Sequence, residues 1–418
     1  MPVGENSNIR RIIDKFKSMP LRKFYFLCIS AFTILQSCEN ERQSQMLELI
    51  IDPHASSKKE ITLGDLAESI EYIPLETLYN NLIGEITVFD ISTNYILIYC
   101  RKSASIYLFG KDGRFISQIG RKGQGPGEYN SVDNIFIDEK KQQILVSTIN
   151  PRQIISYSFK GEYIDFLPTG TIDSRSGSIR AFFNDNYLTM YHNKPDADGK
   201  NDYTYEIKNR DYQTIGQGLL TVPYTIYGAP SRNANIFIPY FESIYQYNDL
   251  IYVKENFLND TIYYINSKNE FIPKYILNAG KYDITVDVRS DFNNTHERLQ
   301  RCVHIHYVYE ADDYLLISYN YMEKQSLCYY DKHDQSIIYQ PNRGDLLNNY
   351  DGGVNFWPKK QNNKLWYAFF DAYHFIEESS TPKKTTLIGS EYALDKIKLI
   401  NRKLKIDDNP VLVIVTLK

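Results

Sequence analysis

The chain has 418 residues, 43% apolar and 23% charged, a balance that excludes a disordered or collagen-like polypeptide. Its net charge is −4, and −8 once the first 37 residues (six Lys/Arg, two acids) are set aside, which excludes the basic footprint of a nucleic-acid binder. Tyrosine is enriched at 36 residues beside 21 phenylalanines, which favours strands, because aromatic side chains suit a pleated, half-buried surface.

In chain order, residues 1–18 read as a misassigned start or a disordered leader, with Met19 as the true initiator. From Met19 the sequence runs MPLRKFYFLCISAFTILQSC: Arg22 and Lys23 lead into the apolar run Phe24 to Leu35, and Cys38 follows. A basic start, an apolar run of about a dozen residues and a small-residue end make a secretory signal over 19–37, too short for a membrane span. Leu35-Gln36-Ser37-Cys38 resembles the lipobox of bacterial lipoproteins. That resemblance implies cleavage before Cys38, its acylation, and attachment to a membrane through the lipid. Glu39 and Glu41 resemble the surface-export tag of some Gram-negative lipoproteins, so the expected location is the cell envelope, at the outer membrane. Residues 38–45 then form a tether. Beyond Cys28 and Cys38, an odd set of cysteines remains (Cys100, Cys302, Cys328), which is no disulfide framework.

Residues 46–418 carry an internal repeat: a polar turn, an apolar strand, a second strand ending in an aromatic, a turn and a third strand. Copies begin at Asn94, Gln143, Tyr187, Leu250, Tyr314 and Lys364, at spacings of 44 to 64 residues. That length suits one propeller blade per copy, and the expected fold is all-β, a six-bladed β-propeller. Lys111-Asp112-Gly113-Arg114 and Lys160-Gly161-Glu162 place Gly where a tight hairpin needs a positive φ. Glu391 to Lys405 reads as one helix, and Val411 to Leu417 as a closing strand. The expected partner of that strand is Leu47–Ile51 or Ile70–Leu75, since closing the sheet set removes an exposed edge.

The stretch from Ser105 to Leu167 resembles NHL-type six-bladed propellers. It carries Phe109-Gly110-Lys111-Asp112-Gly113-Arg114-Phe115, then Gly120 and Gly123-Gln124-Gly125-Pro126-Gly127-Glu128-Tyr129. With the lipobox and the final Asn-Pro strand, this is similar to bacterial six-bladed β-propeller lipoproteins. The resemblance implies a fold and a location and no activity. Eukaryotic NHL propellers bind RNA or protein, and the acidic charge here argues against RNA.

Gly123 to Tyr129 lacks the Lys-Ser/Thr of a phosphate loop and no helix pattern follows, so it reads as a structural linker. Asp196, Asp198 and Asp202 match the spaced carboxylates of a calcium loop. Lys194 stands where a further Asp is wanted, and a solvated hairpin tip is the competing reading. Cys302, His304 and His306 alternate, which on a strand puts them on one face, as zinc ligands or as a polar face beside a channel. There is no nucleophile elbow and no sialidase box. The leading expectation is a non-enzymatic, envelope-anchored binding module for a glycan, peptide or protein. A carbohydrate hydrolase or lyase on the same scaffold is the alternative, and a scaffold within a larger envelope complex the third class.

Overall fold

The computed structural model of the chain describes residues 46–169, 178–195, 202–220, 243–254, 260–285, 288, 295–381, 387 and 391–418. Contacts divide the chain into two units, Met1–Met46 and Leu47–Lys418, and the described strands lie in the second. The first sheet is β3 (Ile86–Ile91), β4 (Tyr95–Cys100), β5 (Ser105–Gly110) and β6 (Phe115–Ile119), an antiparallel meander. The second is β7 (Val132–Asp138), β8 (Gln143–Ile149), β9 (Arg152–Ser158) and β10 (Tyr163–Pro168). The third is β11 (Ser178–Phe183), β12 (Asn186–Pro195), β13 (Asp202–Lys208) and β14 (Thr214–Leu220).

A nine-stranded sheet follows, made of two halves. One half is β15 (Ile244–Tyr247), β16 (Leu250–Lys254), β17 (Thr261–Ile265) and β18 (Phe271–Asn278), with β1 (Leu47–Ile50) parallel on its outer edge. The other is β23 (Lys360–Asn362), β24 (Leu365–Phe370), β25 (Val411–Leu417) and β2 (Ala67–Pro74). A single parallel pair, Gln246 with Asn362, joins them. Between these halves in sequence lies the fifth sheet: β19 (His304–Glu310), β20 (Tyr314–Tyr321), β21 (Lys324–Asp331) and β22 (Ser336–Gln340). The domain is therefore mostly β, with several four-stranded sheets of the propeller-blade kind.

Each repeat copy starts on or beside the second strand of a sheet, and the reason is burial. Second and third strands are covered on both faces, so β4 and β5 read as near-continuous apolar runs. The outermost strand β10 is mostly exposed. The buried faces meet in clusters between successive sheets. Leu97, Ile106 and Leu108 pack on Ile135, Ile144 and Val146. Leu145 and Ile154 of the second sheet pack on Ile179 and Tyr187 of the third. Leu188 and Ile207 meet Ile251 and Val253, and Tyr367, Leu412 and Ile414 meet Ile96, Ile98 and Phe109. The largest cluster gathers the fourth, fifth and last sheets around Tyr245, Ile317, Tyr319 and Trp366.

The hairpin glycines also act between sheets. Gly113 and Gly161 both sit at φ +83, and a Cβ on them would lie 2.4 Å from the Pro74 carbonyl and 2.0 Å from the Gln118 carbonyl. The Glu76 amide donates to the Gly113 carbonyl at 2.9 Å, and the Gly120 amide donates to the Gly161 carbonyl at 3.2 Å. Each tip thus seats on the outer strand of the preceding sheet. At the junction of the third and fourth sheets Asn269, at φ +61, takes this place against Gly216.

The last copy departs from the repeat. After β24 the chain forms α3 (Ala372–Ser380), not a strand, in which Ala372 and Phe375 are buried and the Asp371 backbone carbonyl accepts the Phe375 amide at 2.9 Å. The expected helix follows as α4 (Glu391–Lys403). Earlier helices are short: α1 (Leu63–Leu66) leads into β2, and α2 (Thr295–Gln300) precedes β19. β25 then pairs antiparallel with β2, Val413 opposite Tyr72, so the segment expected at Ile70–Leu75 takes the C-terminal strand. The other candidate, Leu47–Ile51, supplies β1 on β18 instead.

Gly161→Ala should lower the unfolding free energy by at least about 1 kcal/mol, from the left-handed backbone alone, before the clash with Gln118 is added. Gly84→Ala, whose new methyl meets nothing within 4 Å, should leave the urea midpoint unchanged. Equal midpoints for the two variants would contradict the seating of the tip.

Candidate functional site

Where the second and third strands are sealed, the innermost strands are only half-buried and carry polar side chains. β3, β7, β11, β15 and β23 together line a cavity of about 510 Å³. Its best-connected group is Asp90 on β3. One carboxylate oxygen takes an ion pair from Lys360 on β23, and the other accepts the Ile137 amide of β7 at 2.8 Å. One side chain therefore links three sheets. Asn134 of β7 donates to the Ile179 carbonyl of β11 at 3.2 Å. Arg180 on β11 lies beside Asp133, whose carboxyl burial pushes up and Arg180 pulls back. Lys359 and Glu139 complete the charged lining, and Phe89, Phe182 and Tyr245 supply rings.

The fifth sheet is walled off from this cavity. Ser243 Oγ donates to the Val308 carbonyl at 2.9 Å and accepts its amide at 3.0 Å. Gln361 Oε1 accepts the Glu310 amide at 2.9 Å and its Nε2 donates to the Glu310 carbonyl. The exposed edge of β19 is thus satisfied by side chains, and the Asn363 amide closes onto the Gln246 carbonyl at 2.8 Å.

Behind that wall Glu310, only 1% exposed, accepts from Lys274 and Lys332 at 2.9 Å each and from the Tyr275 hydroxyl at 3.0 Å. Two cations and a phenol offset the cost of burying one carboxylate. Burial pulls the Lys332 ammonium below its ordinary value. Lys274, Glu310 and Lys332 are far apart in sequence and carry no local signal.

The candidates read from the sequence fall in different places. Cys38, Asp196 and Asp198 lie outside the described residues, and Asp202 opens β13 opposite Pro195. Cys302 precedes the strand rather than sitting on it, its thiol donating to the Arg298 carbonyl at 3.3 Å. The His304 ring bonds to the Leu299 carbonyl at 2.7 Å. A register shift between Ile305 and Tyr307 makes His306 the extra residue of a bulge, so simple alternation fails there. Burial holds the His306 imidazole down, to about 4. Among the described residues no three His, Cys, Asp or Glu side chains are placed to share a metal ion. The Gly123–Tyr129 loop is filled from within. Glu128 accepts the Gly125 amide at 2.9 Å and pairs with Arg121 at 2.6 Å, leaving no empty anion cradle.

Among the described residues no helix is long and apolar enough to cross a membrane. No curated protein matches the chain. A solved structure of a protein described as exported, from Bacteroides fragilis NCTC 9343, shares the fold. It has a TM-score of 0.63 at 18% identity, over 89% of this chain and 99% of that one. A DUF4221-family member from Bacteroides vulgatus ATCC 8482 gives 0.47 at 13% identity, over 84% and 97%. The β-propeller domain of Swd1 from Myceliophteria thermophila gives 0.39 at 10%, over 62% and 74%. The profile of the domain of unknown function DUF4934 matches residues 48–416, and the chain belongs to that family.

Proposed function

We propose that the chain is an exported lipoprotein, anchored at the outer membrane through acylated Cys38, whose six-bladed propeller is a non-enzymatic binding module. The reading of six blades in a ring rests on the apolar clusters between successive sheets and on the pairing of β2 with β25. The anchor rests on the lipobox residues alone.

The observation that carries the binding role is the cavity. Its roughly 510 Å³ suits a small polar ligand, and strands of four sheets contribute to its wall. Rings at Phe89 and Phe182 offer apolar faces among Arg180, Lys359 and Lys360, which suits a sugar bearing hydroxyls or a carboxylate. Catalysis is the weaker reading. Asp90 is held by Lys360 and the Ile137 amide, which leaves it little capacity for acid–base work, and among the described residues the lining holds no His or Cys.

Titration against a panel of envelope and dietary glycans should find a ligand whose binding Thr93→Trp weakens at least tenfold. Thr93 is an exposed residue of the cavity rim, so that substitution fills space without disturbing the core. Binding undiminished in Thr93→Trp would move the site elsewhere.

For the anchor, labelled fatty acid should enter the wild-type protein and not Cys38→Ala, and the variant should leave the membrane fraction. An unlabelled, membrane-free wild type would contradict it.

A further inference from the structure

The loop after β2 and the end of α4 meet in one tightly fastened corner. Asn409, 1% exposed, donates to the carbonyls of Glu76 and Asn81 at 2.8 and 3.2 Å, and accepts the Ile83 amide at 2.8 Å. Buried Asn81 donates to the Glu76 carbonyl at 3.0 Å and accepts the Leu78 amide at 2.6 Å. Two buried asparagines therefore fix the backbone of residues 76–83.

Beside the exposed Glu76 and Asn80, this fixed loop presents apolar side chains to water. Tyr79 is 99% exposed, Leu82 55% and Leu78 39%. Thr77 and Leu75 share a groove with Leu399, Lys403 and Leu404 of the α4 segment. In the wall of that groove Leu399 is 50% exposed, and after the helix Ile406 is 68% exposed. A rigid loop has no need of outward apolar tips unless they meet something.

Charge identifies the partner. Lys396, Lys398, Arg402, Lys403 and Lys405 are all exposed within ten residues, in a chain whose net charge is −4. Of the acids nearby, Asp395 pairs with Lys398 at 3.2 Å, Asp408 accepts the Lys405 amide at 2.8 Å and Glu76, in the groove wall, accepts the Phe115 amide at 2.8 Å; Asp407 and Glu85 are exposed. Apolar tips and an exposed tyrosine on a loop that shares a groove with the cation-rich end of α4 are the makings of an interfacial membrane contact, in which the ring sits at headgroup depth and the cations meet phosphates.

We propose that this corner docks on an anionic phospholipid surface, with Tyr79, Leu82, Leu399 and Ile406 entering the interface and Lys396, Arg402 and Lys403 meeting lipid phosphates. The surface stands apart from the cavity and does not depend on acylation of Cys38.

The test uses the full chain carrying Tyr79→Trp; the native Trp357 and Trp366 are buried, 4% and 0% exposed, and contribute a constant background. With phosphatidylglycerol vesicles the new indole should shift to the blue and be quenched by brominated acyl chains. Phosphatidylcholine should give neither effect, and high salt, with a Debye length of about 3 Å, should reverse both. Adding Lys396→Glu, Arg402→Glu and Lys403→Glu should weaken the response roughly a hundredfold or more. These residues are exposed, so an unchanged melting curve is the control for folding. Vesicle capture without quenching at position 79 would overturn the docking corner while leaving the Cys38 anchor standing. Equal responses to the two lipids would overturn the anionic partner. A shift that grows with protein concentration in the absence of lipid would assign the corner to a second copy and overturn the proposal.

Discussion

Strands such as β4 and β21 are buried on both faces, so the sheets that contain them are stable only between neighbours. A lone four-stranded sheet would expose Ile96, Leu97 and Ile98 on opposite sides at once. Truncating any one of such residues in a packed core costs about 2–5 kcal/mol, a large share of a domain's net stability. The rest of the architecture follows from that requirement. The hairpin tips at Gly113, Gly161 and Asn269 take a left-handed backbone because they approach the sheet before them. The outer strand of the last sheet comes from the N-terminal side, because an open edge beside β25 would leave Val413 and Val415 half covered.

The innermost strands escape this demand, and that is where polar chemistry collects. Asp90, Asn134 and Arg180 sit on strands with a cavity on one side, where a charged group keeps partial access to water. The cavity is lopsided. The fourth and last sheets touch through Gln246 and Asn362, and Ser243 and Gln361 satisfy the edge of β19, so the fifth sheet gives its inner strand to the wall's support. Behind it, the buried Glu310 with its two lysines ties that sheet to the fourth. The cavity wall is thereby confined to the first three sheets and to the β15 and β23 side of the nine-stranded sheet.

Much of the sheet order was legible because second and third strands carry unbroken apolar runs and a glycine-marked turn, as in Asn94 to Gly120. The inner strands were not. Ile86–Ile91 and Val132–Asp138 mix apolar and polar residues without clean alternation, since β3 is partly buried along most of its length and β7 passes from partly buried Val132–Asn134 to fully buried Ile135–Asp138. The residues of the candidate site lie on those strands, which is why Asp90 and Lys360, some 270 positions apart, gave no signal as a pair. Cys302, His304 and His306 drew attention by spacing, but the strand begins after Cys302 and bulges at His306. Ala372–Ser380 followed a strand-like run and turned helical once Phe375 had a pocket to fill. The final strand was legible because Asn409-Pro410 marks its start and seven apolar or β-branched residues follow.

The account rests on mutual support among the sheets, completed where β25 lies between β24 and β2. Its most direct test is hydrogen exchange on the chain lacking residues 409–418. If the sheets support one another in a ring, protection should fall together in β4, β8, β12, β16 and β20, with one cooperative unfolding transition at a lower midpoint. Protection retained in the first three sheets, with loss confined to β24 and β2, would contradict it.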